Sequence, residues 1–253
     1  STGIDFYVVE ADEYDRSFLQ LFPTHAVITT MDADHMEIYD SLEGIEQGFT
    51  AFAKQVKHTL LVSYGLPLSN LTYGFEANAS YSIPSFKPHN EGYLFDVVTP
   101  EGEEKALYFN QIGKHNLVNA LCAISLAHLE GVSFESIRKG LASFPGIERR
   151  MNQYHLDDLL LIDDYAHHPV ELKAVLKTIK STYPKRKNGI VFQPHLFSRT
   201  RDFMCDFASV LSEFDEVILL DIYPARELPI EGVTSDNLLN LITNPNKKKV
   251  QKV

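Results

Sequence analysis

Two carboxylates and two imidazoles stand within six residues in Asp163-Asp164-Tyr165-Ala166-His167-His168. Such a set can bind a charged ligand, and its Asp-Asp…His-His spacing also resembles that of metal ligands. A second set, His195, Ser198, Arg199 and Arg201, gathers donors beside an expected helix start, where anions are favoured. The bland alternative is a solvated loop, which suits Arg201 with its acidic neighbour better than it suits His195 or Arg199. Glu10 and His35 close two further apolar runs and could reach one cation: Mg²⁺ through the carboxylate, or Mn²⁺, which tolerates imidazole better. Against this, Asp12, Glu13, Asp32 and Asp34 read equally well as solvated acids, and His35 as a helix cap. Asn116 and Asn119, three apart at a helix start, share a face and can pair with a base edge. On spacing alone an N-cap and a satisfied core amide are the better reading. Arg149-Arg150 could bridge a phosphate through bidentate guanidinium bonds, although exposed arginines are commoner.

The elements that must position these groups alternate in type. Leu159 to Ile162 is an aliphatic run that reads as a buried strand, and Pro169 suits the first turn of a helix whose Leu172, Val175, Leu176 and Ile179 form one stripe. Gly189 to Gln193 and Val217 to Leu220 read as two more strands, the first leading into the His195 set and the second into Asp221-Ile222-Tyr223-Pro224-Ala225-Arg226. Three strands delivering polar residues at their carboxyl ends is the pattern of a doubly wound domain with its ligand site along one edge. Upstream, Phe6 to Val9 reads as a buried strand, His25 to Thr30 as a second, Leu42 to Val56 as a helix and Thr59 to Tyr64 as a strand. Leu71 to Ile112 has the texture of a small antiparallel insertion, Lys114 to Glu130 that of a buried helix, and Ser133 caps another. Pro145-Gly146 breaks that helix, so we place domain boundaries at 1–146 and 147–253. The fold class is α/β.

The bulk numbers exclude some classes. A net charge of −11 argues against a general nucleic-acid surface, so an anionic substrate needs a local donor cluster. No apolar run approaches a membrane span, and two cysteines, both in helix-like patterns, suggest neither a disulfide framework nor a zinc site. A cytoplasmic location is expected. The start without methionine and the lysine-rich end, Asn246 to Val253, look like a fragment cut at both ends.

Six motifs in order resemble the Mur ligases of peptidoglycan synthesis: Val9-Glu10-Ala11-Asp12-Glu13; Asp32-Ala33-Asp34-His35-Met36; Gly113 to Ala120; Asp163 to Pro169; Phe192-Gln193-Pro194-His195 with Ser198-Arg199-Thr200-Arg201; and Tyr223-Pro224-Ala225-Arg226. The likeness is to the branch that adds the first amino acid. It implies the later part of a P-loop-type central ATPase domain followed by a Rossmann-like carboxy-terminal domain, both incomplete. It implies ATP-dependent joining of L-alanine to UDP-N-acetylmuramate through an acyl phosphate, a reaction in which positioning and cations do most of the catalysis. Carried over, Glu10 and His35 hold Mg²⁺, and Asn116, Asn119, Arg150 and Asp164 contact ATP, Arg150 across a domain gap and Asp164 at the ribose. Tyr165, His167, His195 and Arg199 face the amino acid, and domain closure assembles the site. Leu196 stands where some members have arginine, which leaves alanine-carboxylate recognition to Arg199. No Gly-x-x-Gly-Lys-[Ser/Thr] loop occurs in these 253 residues, so the chain alone is expected to lack ligase activity. Two competing classes remain: a two-metal phosphoesterase, and a non-catalytic nucleotide-binding module in which the acids are structural.

Overall fold

The computed structural model describes residues 6–31, 39, 41–68 and 70–250. The chain divides into two compact units, residues 1–110 with 115–144, and residues 111–114 with 145–253.

The first unit is built on one seven-stranded sheet. Strands β1 (His25–Ile28), β2 (Thr59–Ser63), β3 (Leu71–Gly74) and β4 (Tyr81–Ser82) run parallel in that order, and β6 (Gly92–Thr99), β5 (Phe86–His89) and β7 (Gly102–Phe109) continue the sheet antiparallel. The stretch from Leu71 onward is therefore not a separate insertion of hairpins. Its first two strands extend the parallel ladder, and the alternation of buried and half-buried positions along β6 presents Tyr93, Phe95 and Val97 to the same core as Leu61 and Tyr73.

Helix α1 (Leu42–Gln55) starts where the Ser41 side chain accepts the Gly44 N–H at 3.1 Å. Glycine is required there, since a Cβ on Gly44 would lie 2.2 Å from the Tyr39 carbonyl oxygen. Helix α2 (Lys114–Leu129) buries Leu117, Ala120, Leu121 and Ile124 against the sheet. Ser133 caps α3 (Phe134–Ser143) as its sequence predicts.

The apolar run Phe6 to Val9 behaves otherwise than expected. It forms no strand, and its side chains are exposed, Val8 almost completely. A strand needs a neighbour for its N–H and C=O groups, and among the described residues no strand pairs with this one. A 3₁₀ segment follows at Tyr14–Gln20, with Asp15 and Arg16 at positive φ.

The second unit holds two sheets. Strands β10 (Gly189–Phe192), β11 (Glu216–Leu219) and β12 (Lys247–Lys249) are parallel neighbours. Against them pack α4 (Pro169–Thr182), α6 (Met204–Leu211) and α7 (Ser235–Leu241), with Leu172, Leu176, Phe207, Leu211, Val217, Leu219 and Leu238 in the core. The lysine-rich end, in which the sequence shows no closing element, supplies a strand; Lys249 lies between Asp221 and Asp236, at 2.9 and 2.7 Å.

The Leu159 to Ile162 run also departs from expectation. It belongs to β9 (Leu159–Asp163), which among the described residues pairs only with β8 (Asn152–Leu156), antiparallel, through the two-residue turn Asp157-Asp158. Asp157 takes the positive φ that such short hairpin loops require. One face of this hairpin meets solvent, so Leu159 and Leu161 are exposed, and β9 is not the first strand of the parallel sheet.

Candidate functional site

The loop after β9 is held by its own side chains. The Asp164 carboxylate accepts the Met151 N–H at 3.0 Å on one oxygen and the Ala166 N–H at 2.8 Å on the other. Tyr165 donates its N–H to the Arg149 carbonyl at 2.8 Å, and the Arg149 guanidinium lies 4.3 Å above the Tyr165 ring. Glu171, in the first turn of α4, accepts the N–H groups of His167 and His168, while His168 caps the helix. Sequence and helix chemistry together therefore fix where the His167 ring can stand.

His167 Nδ1 lies 2.8 Å from the Tyr165 carbonyl oxygen, which can only accept. That bond assigns the proton of the neutral ring to Nδ1 and leaves a lone pair on Nε2. The ring stands edge-on to Tyr165, with centroids 5.1 Å apart, and 6.1 Å from the ring of His195.

His195 arrives from the end of β10. A parallel bridge to Tyr223 just past β11 holds it, with the Leu196 N–H bonded to the Tyr223 carbonyl and the Tyr223 N–H to the Pro194 carbonyl. Its ring stacks on Tyr223 at 5.4 Å. Arg199, one turn into α5 (Phe197–Asp202), points a guanidinium nitrogen at His195 Nδ1, 3.5 Å away. Guanidinium only donates, so Nδ1 accepts and Nε2 carries the proton. Burial, reinforced by Arg199 and His167 and opposed by Glu227, holds the His195 imidazole below its ordinary value, so the ring is neutral at neutral pH. The two histidines thus offer opposite faces: one Nε2 that accepts and one that donates.

The expectation of an anion at the start of α5 is met from within the chain. Glu227 accepts the Ser198 N–H at 2.9 Å and the Ser198 hydroxyl, and receives the Phe197 N–H as well. That helix end already has its carboxylate, so any ligand must use the side chains of His195 and Arg199 instead. Arg201 is turned to solvent and pairs with Asp202 at 2.7 Å, the bland outcome foreseen for it. Glu227 and the stacking face of Tyr223 do not stand out by spacing. The one signal for Glu227 is its position directly after the Tyr223-Pro224-Ala225-Arg226 motif.

The remaining candidates lie elsewhere. Arg150 is exposed, with its N–H on Asn152 Oδ1 at 3.1 Å. In the first unit Asn116 and Asn119 occupy the first turns of α2, Asn116 half-buried and Asn119 exposed, so the second is not a core amide. Glu10 is exposed in the irregular segment that precedes the 3₁₀ turn, and His35, with Asp32 and Asp34, lies outside the described residues. A single carboxylate suits Mg²⁺, which keeps several waters and takes phosphate oxygens. Among the described residues no three His, Cys, Asp or Glu come together as a metal group, so the Asp163-Asp164…His167-His168 set is not one. Its members serve as loop tie, ring face and helix cap.

Comparison with known proteins agrees with this architecture. The model for the Mur ligase middle domain matches residues 1–127, and that for the Mur ligase glutamate ligase domain matches residues 149–253. The chain belongs to the Mur ligase family. It is 51% identical over 254 residues to the UDP-N-acetylmuramate–L-alanine ligase of Flavobacterium psychrophilum, covering 99% of this chain and 57% of that protein. The enzyme of the same name from Porphyromonas gingivalis is 43% identical over 98% of this chain and 57% of its own length. The chain spans little more than half the length of these curated relatives. The fold is that of the UDP-N-acetylmuramate–alanine ligase of Thermotoga maritima, with a TM-score of 0.78 at 23% identity over 96% of this chain and 54% of that one. A folylpolyglutamate synthase from the same organism shares it, with a TM-score of 0.67 at 16% identity over 93% of this chain and 55% of that one.

Proposed function

We propose that this chain is the middle and carboxy-terminal part of a cytoplasmic ATP-dependent ligase that joins L-alanine to UDP-N-acetylmuramate in peptidoglycan synthesis. The observation that carries the reading is identity of 50% or more, across 99% of the chain, to ligases of that name. An ADP complex of a Mur ligase from Thermotoga maritima, related to this chain in fold, supports nucleotide use by the family.

In this reading the lactyl carboxylate attacks the γ-phosphorus of ATP, ADP leaves, and an acyl phosphate forms. The alanine amine attacks the acyl carbon and phosphate departs from the tetrahedral intermediate. The residues described above supply what that second step needs. Arg199 takes the alanine carboxylate, since its guanidinium stands beside His195 while Arg201 is engaged with Asp202. An ammonium is no nucleophile and must lose a proton; with Nδ1 engaged by the Tyr165 carbonyl, the Nε2 lone pair of His167 would accept it or hold the amine. His195, kept neutral, adds no positive charge to repel the ammonium and offers its Nε2–H to the developing oxyanion. Tyr165 walls the pocket. Asn116, Asn119, Arg150 and Asp164 are assigned to ATP, and Glu10 with His35 to a Mg²⁺ or Mn²⁺ ion that would neutralise phosphate charge.

The test is a ligation assay with ATP, UDP-N-acetylmuramate and L-alanine on the protein extended to the full length of its relatives. Equimolar ADP, phosphate and alanylated product are expected, with no turnover from the 253-residue chain, whose sequence contains no P-loop. Turnover by the 253-residue chain, or no alanylated product from the extended protein, would refute the proposal.

A further inference from the structure

The α5 turn that carries Arg199 has little to hold it in place by itself. It has six residues, and it follows Leu196, whose φ of +70° is one that side-chain-bearing residues rarely adopt. Leu196, the N-cap, makes no side-chain capping bond. The cap comes from Glu227, twenty-nine positions after the Ser198 that it binds. Ala225, at φ +49°, lets the chain turn sharply, the Glu227 N–H closes onto the Pro224 carbonyl at 2.9 Å, and the Glu227 carboxylate is carried back over the first turn of α5.

We propose that Glu227 is the positioning residue of the amino-acid pocket: by binding the backbone and hydroxyl of Ser198 it sets the α5 turn, and through it the Arg199 guanidinium and the His195 ring. The proposal rests on the reading that this pocket takes the amino acid. Three observations carry it. Glu227 is half-buried yet ionised: burial pushes its carboxyl up, but the Ser198 hydroxyl, the Ser198 and Phe197 N–H groups and Arg199 together bring it below the ordinary range. Its bonds reach Phe197 and Ser198, the two residues between Leu196 and Arg199, so they act on the segment joining His195 to Arg199. Finally, the Tyr223 bridge ties the other end of the same segment, so His195 to Arg199 is clamped twice by the stretch from Tyr223 to Glu227.

Among the described residues the ion pair of this turn joins Arg201 to Asp202; Arg199 points a guanidinium nitrogen at His195 and acts on Glu227 through its charge, while the Glu227 hydrogen bonds go to Phe197 and Ser198. The groups that face His195 are Arg199 on α5, His167 on the β9–α4 loop, Tyr223 beneath the ring and Glu227. Of these Glu227 alone favours the imidazolium form. Removing its charge therefore moves the His195 titration to lower pH, whereas loss of packing would release the ring toward its ordinary value.

The experiment uses Glu227→Gln, which keeps the shape and one acceptor, and Ser198→Ala, which keeps the carboxylate and removes only the hydroxyl bond. Imidazole titration by NMR on the 253-residue chain reads His195 directly. In the full-length ligase, KM for L-alanine is expected to rise about tenfold in Glu227→Gln, the size of one charged hydrogen bond lost, with KM for ATP unchanged. Ser198→Ala should show a smaller rise in the same direction. A His195 titration identical to the parent's in folded Glu227→Gln overturns the proposal whatever the pocket binds. A shifted titration with KM for alanine unchanged in both Glu227→Gln and Arg199→Lys instead removes the pocket reading, and the proposal with it.

Discussion

Replacing Asp164 by alanine should destabilise the second unit whether or not a nucleotide is present. The carboxylate accepts two backbone N–H groups, from Met151 and Ala166, at 3.0 and 2.8 Å. Met151 is 1% exposed and sits at φ +56°, so its N–H has little access to a replacement water. Each hydrogen bond to a charged group contributes about 1.5–3 kcal/mol when buried. Both bonds here are partly buried, and discounting them for solvent gives about 2–3 kcal/mol for the pair. Over a unit of about a hundred residues that lowers Tm by about 10–20 °C. Asp164→Asn keeps one acceptor and should fall between the two. Differential scanning calorimetry of the 253-residue chain reads the shift, and the transition belonging to the second unit should move alone. A shift below about 2 °C would mean the two bonds carry no stability and would refute the reasoning. The consequence for function is direct. Lost turnover in an Asp164 variant cannot be taken as a lost ribose contact until the stability change has been subtracted.

Two further expectations concern titration. Burial raises the Cys122 thiol to about 11, against a hydrogen bond from Tyr73, whereas Cys205 is exposed; iodoacetamide at pH 8 should therefore add one group to the native chain and two in denaturant, as counted by intact mass. Because the folded His195 imidazole lies below its ordinary value, the unfolded chain takes up that proton first as pH falls. Its contribution is full above the unfolded value near 6.5 and is lost as pH drops through the folded one, so urea midpoints should decline over that window less steeply in His195→Gln. An identical decline in the variant would contradict the assignment.

Much of the fold was legible because its elements carry local signals. Ser133 as a cap, Pro169 at a first helical turn, and the 3.6-residue stripe of α4 each specify an element by local chemistry. Pairing was less legible, because it depends on residues far away in sequence. Leu159 to Leu161 has the aliphatic run of a fully buried parallel strand, yet its partner is the adjacent Asn152–Leu156, and Leu159 and Leu161 stay exposed. Phe6 to Val9 fails for the same reason: the pattern states what a strand would bury, not whether a neighbour exists. Lys247–Lys249 shows the converse, a strand with no apolar pattern, held by its ladder to β11 and by Asp221 and Asp236. In the site, histidines and arginines were legible by type and by their place after strands. The role of Glu227 was not, since an acid among acids has no distinguishing spacing and its partner lies twenty-nine residues away.

The central claim is that the cluster of His167, His195 and Arg199 receives the amino acid. The most direct measurement is the kinetic split for Arg199→Lys in the protein extended to the full length of its relatives, assayed for the proposed ligation, with Arg201→Lys as the control. In Arg199→Lys the KM for L-alanine is expected to rise at least tenfold, from loss of the bidentate fork, with KM for ATP and for UDP-N-acetylmuramate unchanged and the control indistinguishable from the parent. An unchanged alanine KM in Arg199→Lys, or an equal rise in Arg201→Lys, would contradict it.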